Sequence, residues 1–157
     1  MLRDFAESVW RRAPRFLRLW SVRLTNARFT VTAAGIIFDA SGRVLLLKHR
    51  FRAGSGWGIP GGFIMANEQP EEGLRRELRE EIGLELQGLE LCRVRTFKDV
   101  RQIEIVFRGQ SDGLVTARSD EIKKAEWFEL ASLPEGLPSD QRRLIKDVFS
   151  RGANLES

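Results

Sequence analysis

The sequence predicts an α/β sandwich, a mixed β-sheet with one central helix packed on it and a second helix closing the chain. Three observations predict it. Apolar, β-branched runs lie on both sides of residues 70–82 in the sequence; residues 70–82 carry the strongest helix signals of the chain; and no internal repeat or low-complexity tract interrupts the order.

Taken in order, Leu2, Ala6, Val9, Ala13, Phe16 and Trp20 recur in steps of four and three, a helical stripe along an arm that runs to about Arg28. Pro14 falls within it. A proline inside a helix removes a hydrogen bond and clashes with the preceding turn, so a break is expected there, with Pro14 opening a second short helix. Thr30–Phe38 is rich in β-branched residues, Asp39-Ala40-Ser41-Gly42 supplies turn chemistry, and Val44–His49 reads as the returning strand of a hairpin. Residues 51–62 contain five glycines and Pro60 and read as a loop. The helix Pro70–Ile82 has proline in its first turn, Glu71 and Glu72 where the helix dipole favours anions, and Gly83 as its stop. Leu89–Phe97 and Gln102–Phe107 read as strands, Ser111-Asp112-Gly113 as a turn, Glu126–Glu129 as a short strand, and Asp140–Phe149 as the closing amphipathic helix. The organisation expected is a basic, amphipathic arm over residues 1–28 and one domain over residues 29–157.

Composition narrows the function classes. A chain of 157 residues, 42% hydrophobic and 31% charged, is long enough for a sizeable core and too apolar for wholesale disorder. No stretch approaches the roughly 18 uncharged apolar residues of a membrane span. Arg3, Asp4, Glu7, Arg11 and Arg12 interrupt any signal-peptide core. Cys92 is the only cysteine, which excludes an internal disulfide framework and a cysteine-built zinc site, and a reduced, cytoplasmic compartment is expected. The net charge of +4 belongs to the arm: seven arginines stand against Asp4 and Glu7 up to Arg28, whereas the remainder holds 19 basic and 20 acidic residues. Polyanion binding is therefore a question about the arm alone.

The chemistry concentrates in Gly62–Leu84. At about 100° per residue Leu74, Leu78 and Ile82 share one sector of the helix, and Glu77, Glu80 and Glu81 occupy the adjoining one. Three carboxylates so close repel, and a cation would turn that repulsion into binding. Hard oxygen ligands suit Mg²⁺ or Mn²⁺, ions that commonly also bind substrate phosphates. The competing reading is a solvated acidic face laced by Arg75, Arg76 and Arg79. The Gly61-Gly62 pair upstream, able to bring backbone groups close to a metal or phosphate, favours the cation.

This segment resembles the Nudix hydrolase signature at every fixed position, filled here by Gly62, Glu68, Arg76, Glu77, Leu78, Glu80, Glu81, Gly83 and Leu84. Trp57-Gly58-Ile59-Pro60-Gly61 is similar to the family's usual approach to it, and the strand order extends the likeness over about Thr30–Phe149. The resemblance implies a metal-dependent enzyme, using Mg²⁺ with Mn²⁺ as the alternative, that cleaves the pyrophosphate of a nucleoside diphosphate linked to another group by water attack. It implies Glu77 and Glu81 as principal metal ligands, Glu80 coordinating directly or through water, and the Gly61 carbonyl as a further ligand. It implies that Arg76 and Glu68 hold these glutamates in place. Glu121 lies where many relatives carry an extra acidic residue that reaches the metal centre; a solvated loop acid is the other reading. His49 and Cys92 read as structural, and Trp57 either stacks on a base or packs its loop.

Subfamily markers act by exclusion. ADP-ribose pyrophosphatases of the superfamily often carry a proline about 15 residues past the signature, where this chain has Thr96 to Arg101 without one, and dinucleoside polyphosphate hydrolases often carry a tyrosine, which this chain lacks entirely. The Ser-Gln-Pro-Trp-Pro marker of the NADH type is missing too. Nucleoside triphosphates and nucleotide sugars remain favoured. A non-catalytic nucleotide-binding module and a nucleic-acid enzyme removing 5′-terminal pyrophosphate from RNA are the alternatives. The arm has three candidate uses: packing on its own domain, swapping across a homodimer, or lying on an anionic membrane surface. Because Pro14 shortens each helical piece, packing against protein is the expected one.

Overall fold

Period-two alternation sends successive strand side chains to opposite faces, so a strand apolar at every position needs a cover on both. Strands β1 (Thr30–Phe38) and β2 (Val44–His49) are of this kind over Ala33–Phe38 and Val44–Leu47. Ala34, Ile36, Phe38, Val44 and Leu46 join one buried cluster; Ala33, Ile37, Leu45 and Leu47 join another. A computed structural model, describing residue 11, residues 14–86 and residues 88–153, shows what covers them. Leu144, Ile145 and Val148 of the closing helix complete the first cluster, and Leu74, Leu78 and Ile82 of the central helix complete the second. The result is the α/β/α sandwich that the sequence predicts.

The sheet runs β3 (Trp57–Gly58), β2, β1, β6 (Gln102–Gln110), β5 (Leu89–Phe97), with β4 (Gly61–Phe63) paired to β1 and β7 (Ile122–Phe128) paired to β2. The hairpin turn is held by Asp39, whose carboxylate accepts from the Ser41 and Arg43 N–H groups at 3.0 and 2.8 Å. Residues 51–62, expected to be a loop, are not all loop: β3 and β4 form there, because hydrogen bonding to β2 and β1 overrides a glycine-rich composition. Likewise β6 continues to Gln110, and β7 starts at Ile122 rather than Glu126, drawn into register against β2 from Val44↔Phe128 to His49↔Ile122.

The helices are α1 (Arg15–Thr25), α2 (Pro70–Ile82) and α3 (Ser139–Ala153). Helix α2 coincides with its predicted span. Glu72 reaches back to accept the Gln69 N–H at 3.3 Å, Pro70 needs no intrahelical partner, and Gly83 adopts the left-handed φ of 70° that stops the helix. Leu74, Leu78 and Ile82 are fully buried, and truncating Leu78 to Ala would cost about 3 kcal/mol.

The chain divides into two compact units, Met1–Thr30 and Val31–Ser157. In the first, α1 begins directly after Pro14, as expected of a short helix opened by that proline. Leu2, Ala6, Val9, Trp10 and Ala13 lie outside the described residues. Phe16, Leu17, Trp20 and Leu24 of α1 are exposed. No helix among the described residues is long and apolar enough to cross a membrane.

Candidate active site

Helix α2 presents its carboxylates at two levels of burial. Leu74, Leu78 and Ile82 turn toward the core, which leaves Glu77 and Glu81 on the flank that faces β4 and Glu80 further out, its side chain 59% exposed. Gly62 permits the approach: a methyl group at that position would overlap the Glu77 carboxylate. Gly61 is needed for the same reason on the other side, since a methyl there would strike the Ala33 carbonyl of β1. The glycine pair therefore allows β4 to run between β1 and α2 at backbone distance.

Arg76 organises one half of the site. It donates to both oxygens of Glu68, from Nε at 2.9 Å and Nη2 at 3.2 Å, to Glu77 Oε1 at 2.9 Å, to Glu80 Oε2 at 3.3 Å and to the Phe63 carbonyl at 3.1 Å. Glu68 also accepts the Met65 N–H at 2.9 Å. The Arg76 hydrogen bonds hold the Glu68 carboxyl below the usual carboxylate range, and Glu68 in turn raises Arg76. Forked pairing of this kind fixes direction as well as distance.

The other half lacks such pairing, and the charge of Arg52 offsets it only in part. Glu81 is buried, its Oε2 has no hydrogen-bond partner, and its carboxyl is pushed up to about 7. Loss of water is the principal cause, followed by the charges of Glu77 and Glu121. The loop before β7 is joined to α2 by Arg118 and Ser119, whose N–H groups donate to the Glu81 carbonyl at 2.7 and 3.4 Å, and it is tied down by Arg50, which donates from its N–H to the Glu121 carbonyl at 2.7 Å and from Nε to the Asp120 carbonyl at 2.8 Å. Arg52 lies across the bare face of Gly58, its charge stabilised by Glu81 and Glu104 against desolvation. Beside it is a cleft of about 180 Å³ lined by Arg52, Gly61, Phe63, Gln102, Glu104 and Gln141.

Among the described residues, no three acidic or imidazole side chains converge closely enough to cage an ion unaided. The donor set nonetheless fits a hard divalent cation. An orphaned buried carboxylate oxygen, three further carboxylates close enough to raise its pKa, and backbone brought within reach at Gly61-Gly62 form an anionic centre that a cation would relieve. Glu77 would have to share itself with Arg76, and Glu80, directed to Arg76 and exposed, stands furthest from this role.

The remaining sequence candidates separate cleanly. Trp57 packs edge-on against Phe128 at 5.0 Å between ring centres, so it belongs to the core margin. His49 is held near 4 by burial and by the charge of Arg52, which leaves a neutral imidazole at neutral pH. The Cys92 thiol donates to the Val106 carbonyl at 3.3 Å and is raised by burial, an inert state. Sequence reasoning missed Arg52, Glu104, Gln102 and Gln141. A cation within a glycine-rich loop is a signal that could have found Arg52; nothing local marks the others, which come from β6 and α3.

Comparison with known proteins agrees with this fold. The NUDIX domain family model matches residues 28–148. An ADP-ribose pyrophosphatase of Methanocaldococcus jannaschii is 34% identical over 76% of this chain and 72% of its own length. An RNA pyrophosphohydrolase of Gluconacetobacter diazotrophicus is 42% identical over 74% of this chain and 88% of its own. Among solved structures, a MutT NUDIX hydrolase from Burkholderia pseudomallei superposes with a TM-score of 0.68 at 27% identity, covering 76% of this chain and 98% of that one.

Proposed function

The chain belongs to the NUDIX domain family and is an enzyme acting on phosphoanhydride bonds, and from that premise we propose that it cleaves the pyrophosphate of a nucleoside diphosphate linked to another group, with Mg²⁺ held by Glu77, Glu81 and the Gly61 carbonyl. Divalent metals are general in the family. The observation that carries this reading is Glu81, a buried carboxylate with an unpartnered oxygen in the fields of Glu77, Glu121 and Arg52.

A divalent cation bound here would neutralise phosphate charge and lower the pKa of water. The protein supplies the rest. Glu77 and Glu81 hold their positions because α2 is locked by its buried leucines and by Arg76, and Glu68 keeps Arg76 aimed. Glu80 and Glu121 extend the anionic centre outward. Arg52 would meet a phosphate oxygen at the cleft, and Phe63, 63% exposed at the rim, offers a face for a nucleobase. Gln102, whose Nε2 donates to Thr32 Oγ1 at 2.8 Å, and Gln141, whose Oε1 accepts the Ile59 N–H at 3.0 Å, line the same cleft with amides fixed by the fold.

Nucleotide sugars and nucleoside triphosphates are the substrates we favour. The missing proline at 96–101, which sets ADP-ribose aside in the sequence, loses weight beside a 34% identical ADP-ribose pyrophosphatase, so ADP-ribose joins the nucleotide-sugar class. Removal of 5′-terminal pyrophosphate from RNA is the second reading, favoured by the RNA pyrophosphohydrolase relative. The test is turnover against nucleoside triphosphates, nucleotide sugars including ADP-ribose, dinucleotides and 5′-triphosphate RNA, with Mg²⁺ titrated and products identified. A nucleoside monophosphate released from a small substrate is the expected result. Turnover confined to RNA would transfer the assignment to the second reading, and turnover unaffected by chelation would overturn the metal site. Arg52→Gln should raise KM about tenfold with kcat less affected.

A further inference from the structure

Between Ser8 and Phe38 the chain carries six arginines and no aspartate or glutamate, whereas the rest of the domain is nearly balanced in charge. Helix α1 contributes Arg15, Arg18 and Arg23 to that run and has no acid of its own. At about 100° per residue, Phe16, Leu17, Trp20 and Leu24 fall within an arc of about 100°. In an ordinary soluble helix such an arc is the buried one; here the four side chains are 60, 50, 60 and 73% exposed.

We propose that α1 docks the enzyme on an anionic phospholipid surface. The apolar arc and the acid-free arginine run point to the same occupant, because a bilayer with acidic headgroups offers both an acyl boundary for Phe16, Leu17 and Leu24 and negative charge for the arginines. Trp20 is the residue type that sits at such a boundary, its ring apolar and its N–H polar. The other occupants satisfy one half only. Nucleic acid pairs with the arginines and leaves two leucines in water. A second α1 covers the leucines and sets arginine beside arginine with no acid between them. Eleven residues span about 16 Å, enough to lie in the interface and too short to cross it. One helix of this length binds weakly and reversibly, and its attraction falls as salt screens the charge.

The test uses the full chain and vesicles of phosphatidylcholine alone or with 30% phosphatidylglycerol, read by co-sedimentation at low and high salt. Binding to the anionic vesicles should exceed binding to the neutral ones by at least tenfold and be lost at high salt. Phe16→Glu/Trp20→Glu and Arg15→Gln/Arg18→Gln/Arg23→Gln should each abolish it, with melting temperature and nucleotide turnover in solution unchanged. Equal binding to both vesicle types, or no binding, overturns the proposal. So does a dimer that Phe16→Glu/Trp20→Glu dissociates while vesicles remain unbound, or RNA binding that the arginine variant loses and the Phe16/Trp20 variant keeps.

Discussion

Glu68 and Glu81 are both glutamates of one signature beside one helix, and their environments are opposite. Glu68 sits in the fork of Arg76 and accepts a backbone N–H, so its charge is favoured and its carboxyl is lowered. Glu81 is buried among other acids with one oxygen unpartnered, so its charge is disfavoured and its carboxyl rises to about 7. The difference teaches that the repeated charge of α2 is divided by function. The charge of Glu68 is met by the protein itself, whereas that of Glu81 is left with an unused acceptor.

The largest effect that would break this comparison is catalytic. Glu81→Gln should lower turnover by roughly two orders of magnitude or more at saturating Mg²⁺, and Glu77→Gln should do the same, since each removes an anion the metal requires. Near-normal steady-state turnover in either variant would remove that residue from the ligand set. Stability should move the other way for Glu81. Glu81→Gln in metal-free buffer at pH 8 should melt no lower than the parent and gain up to about 3 kcal/mol, the equivalent of its raised pKa.

Arg76 supplies the converse. Arg76→Gln leaves Glu68 and Glu77, which are 15 and 20% exposed, without their cation and strips the Phe63 carbonyl of its donor. A loss of about 2 kcal/mol by chemical denaturation is expected, together with reduced turnover as the glutamates lose their alignment. A variant that denatures like the parent would show that the network contributes orientation without stability.

The pH dependence of metal-free stability sharpens the contrast. Glu81 has a folded pKa near 7 above its ordinary 4.5. Below pH 4.5 it is protonated in both states and costs nothing. From there to about 7 the unfolded chain ionises while the native one keeps its proton, so stability falls as pH rises. Glu68 runs oppositely: its stabilisation is present above 4.5 and is lost as pH falls through its lowered folded value. Thermal melts from pH 4 to 8 should show Glu81→Gln removing the decline toward neutral pH and Glu68→Gln removing part of the acid decline. Added Mg²⁺ should stabilise the parent more at pH 8 than at pH 6, because it competes with the Glu81 proton.

The smallest expected effect is at the loop before β7. Glu121→Gln should reduce kcat by about tenfold with little change in KM, and Asp120→Asn, whose backbone carbonyl alone engages Arg50, should change it less than twofold. Equal, small effects would return Glu121 to the role of a solvated loop acid.

Local chemistry alone determines much of this protein. The strands Thr30–Phe38, Val44–His49 and Leu89–Phe97 and the helix Pro70–Ile82 have their observed limits in the sequence, because periodicity, proline at N1 and glycine at C′ act within a few residues. The carboxylate cluster was legible for the same reason, since Glu77 and Glu81 lie one turn apart whatever surrounds the helix. Tertiary structure decided which charges are satisfied. Whether Arg76 or Arg79 serves the site is settled by Glu68, eight residues from Arg76 across the loop, while Arg79 is drawn outward to Glu85. β3 and β4 exist only because β2 and β1 offer them partners. Arg52, Glu104 and Gln141 meet only because the sheet and α3 bring distant segments to one cleft. A pKa, a cleft and a sheet edge each depend on neighbours remote in the chain, and the burial that sets their energies arises only when the layers close.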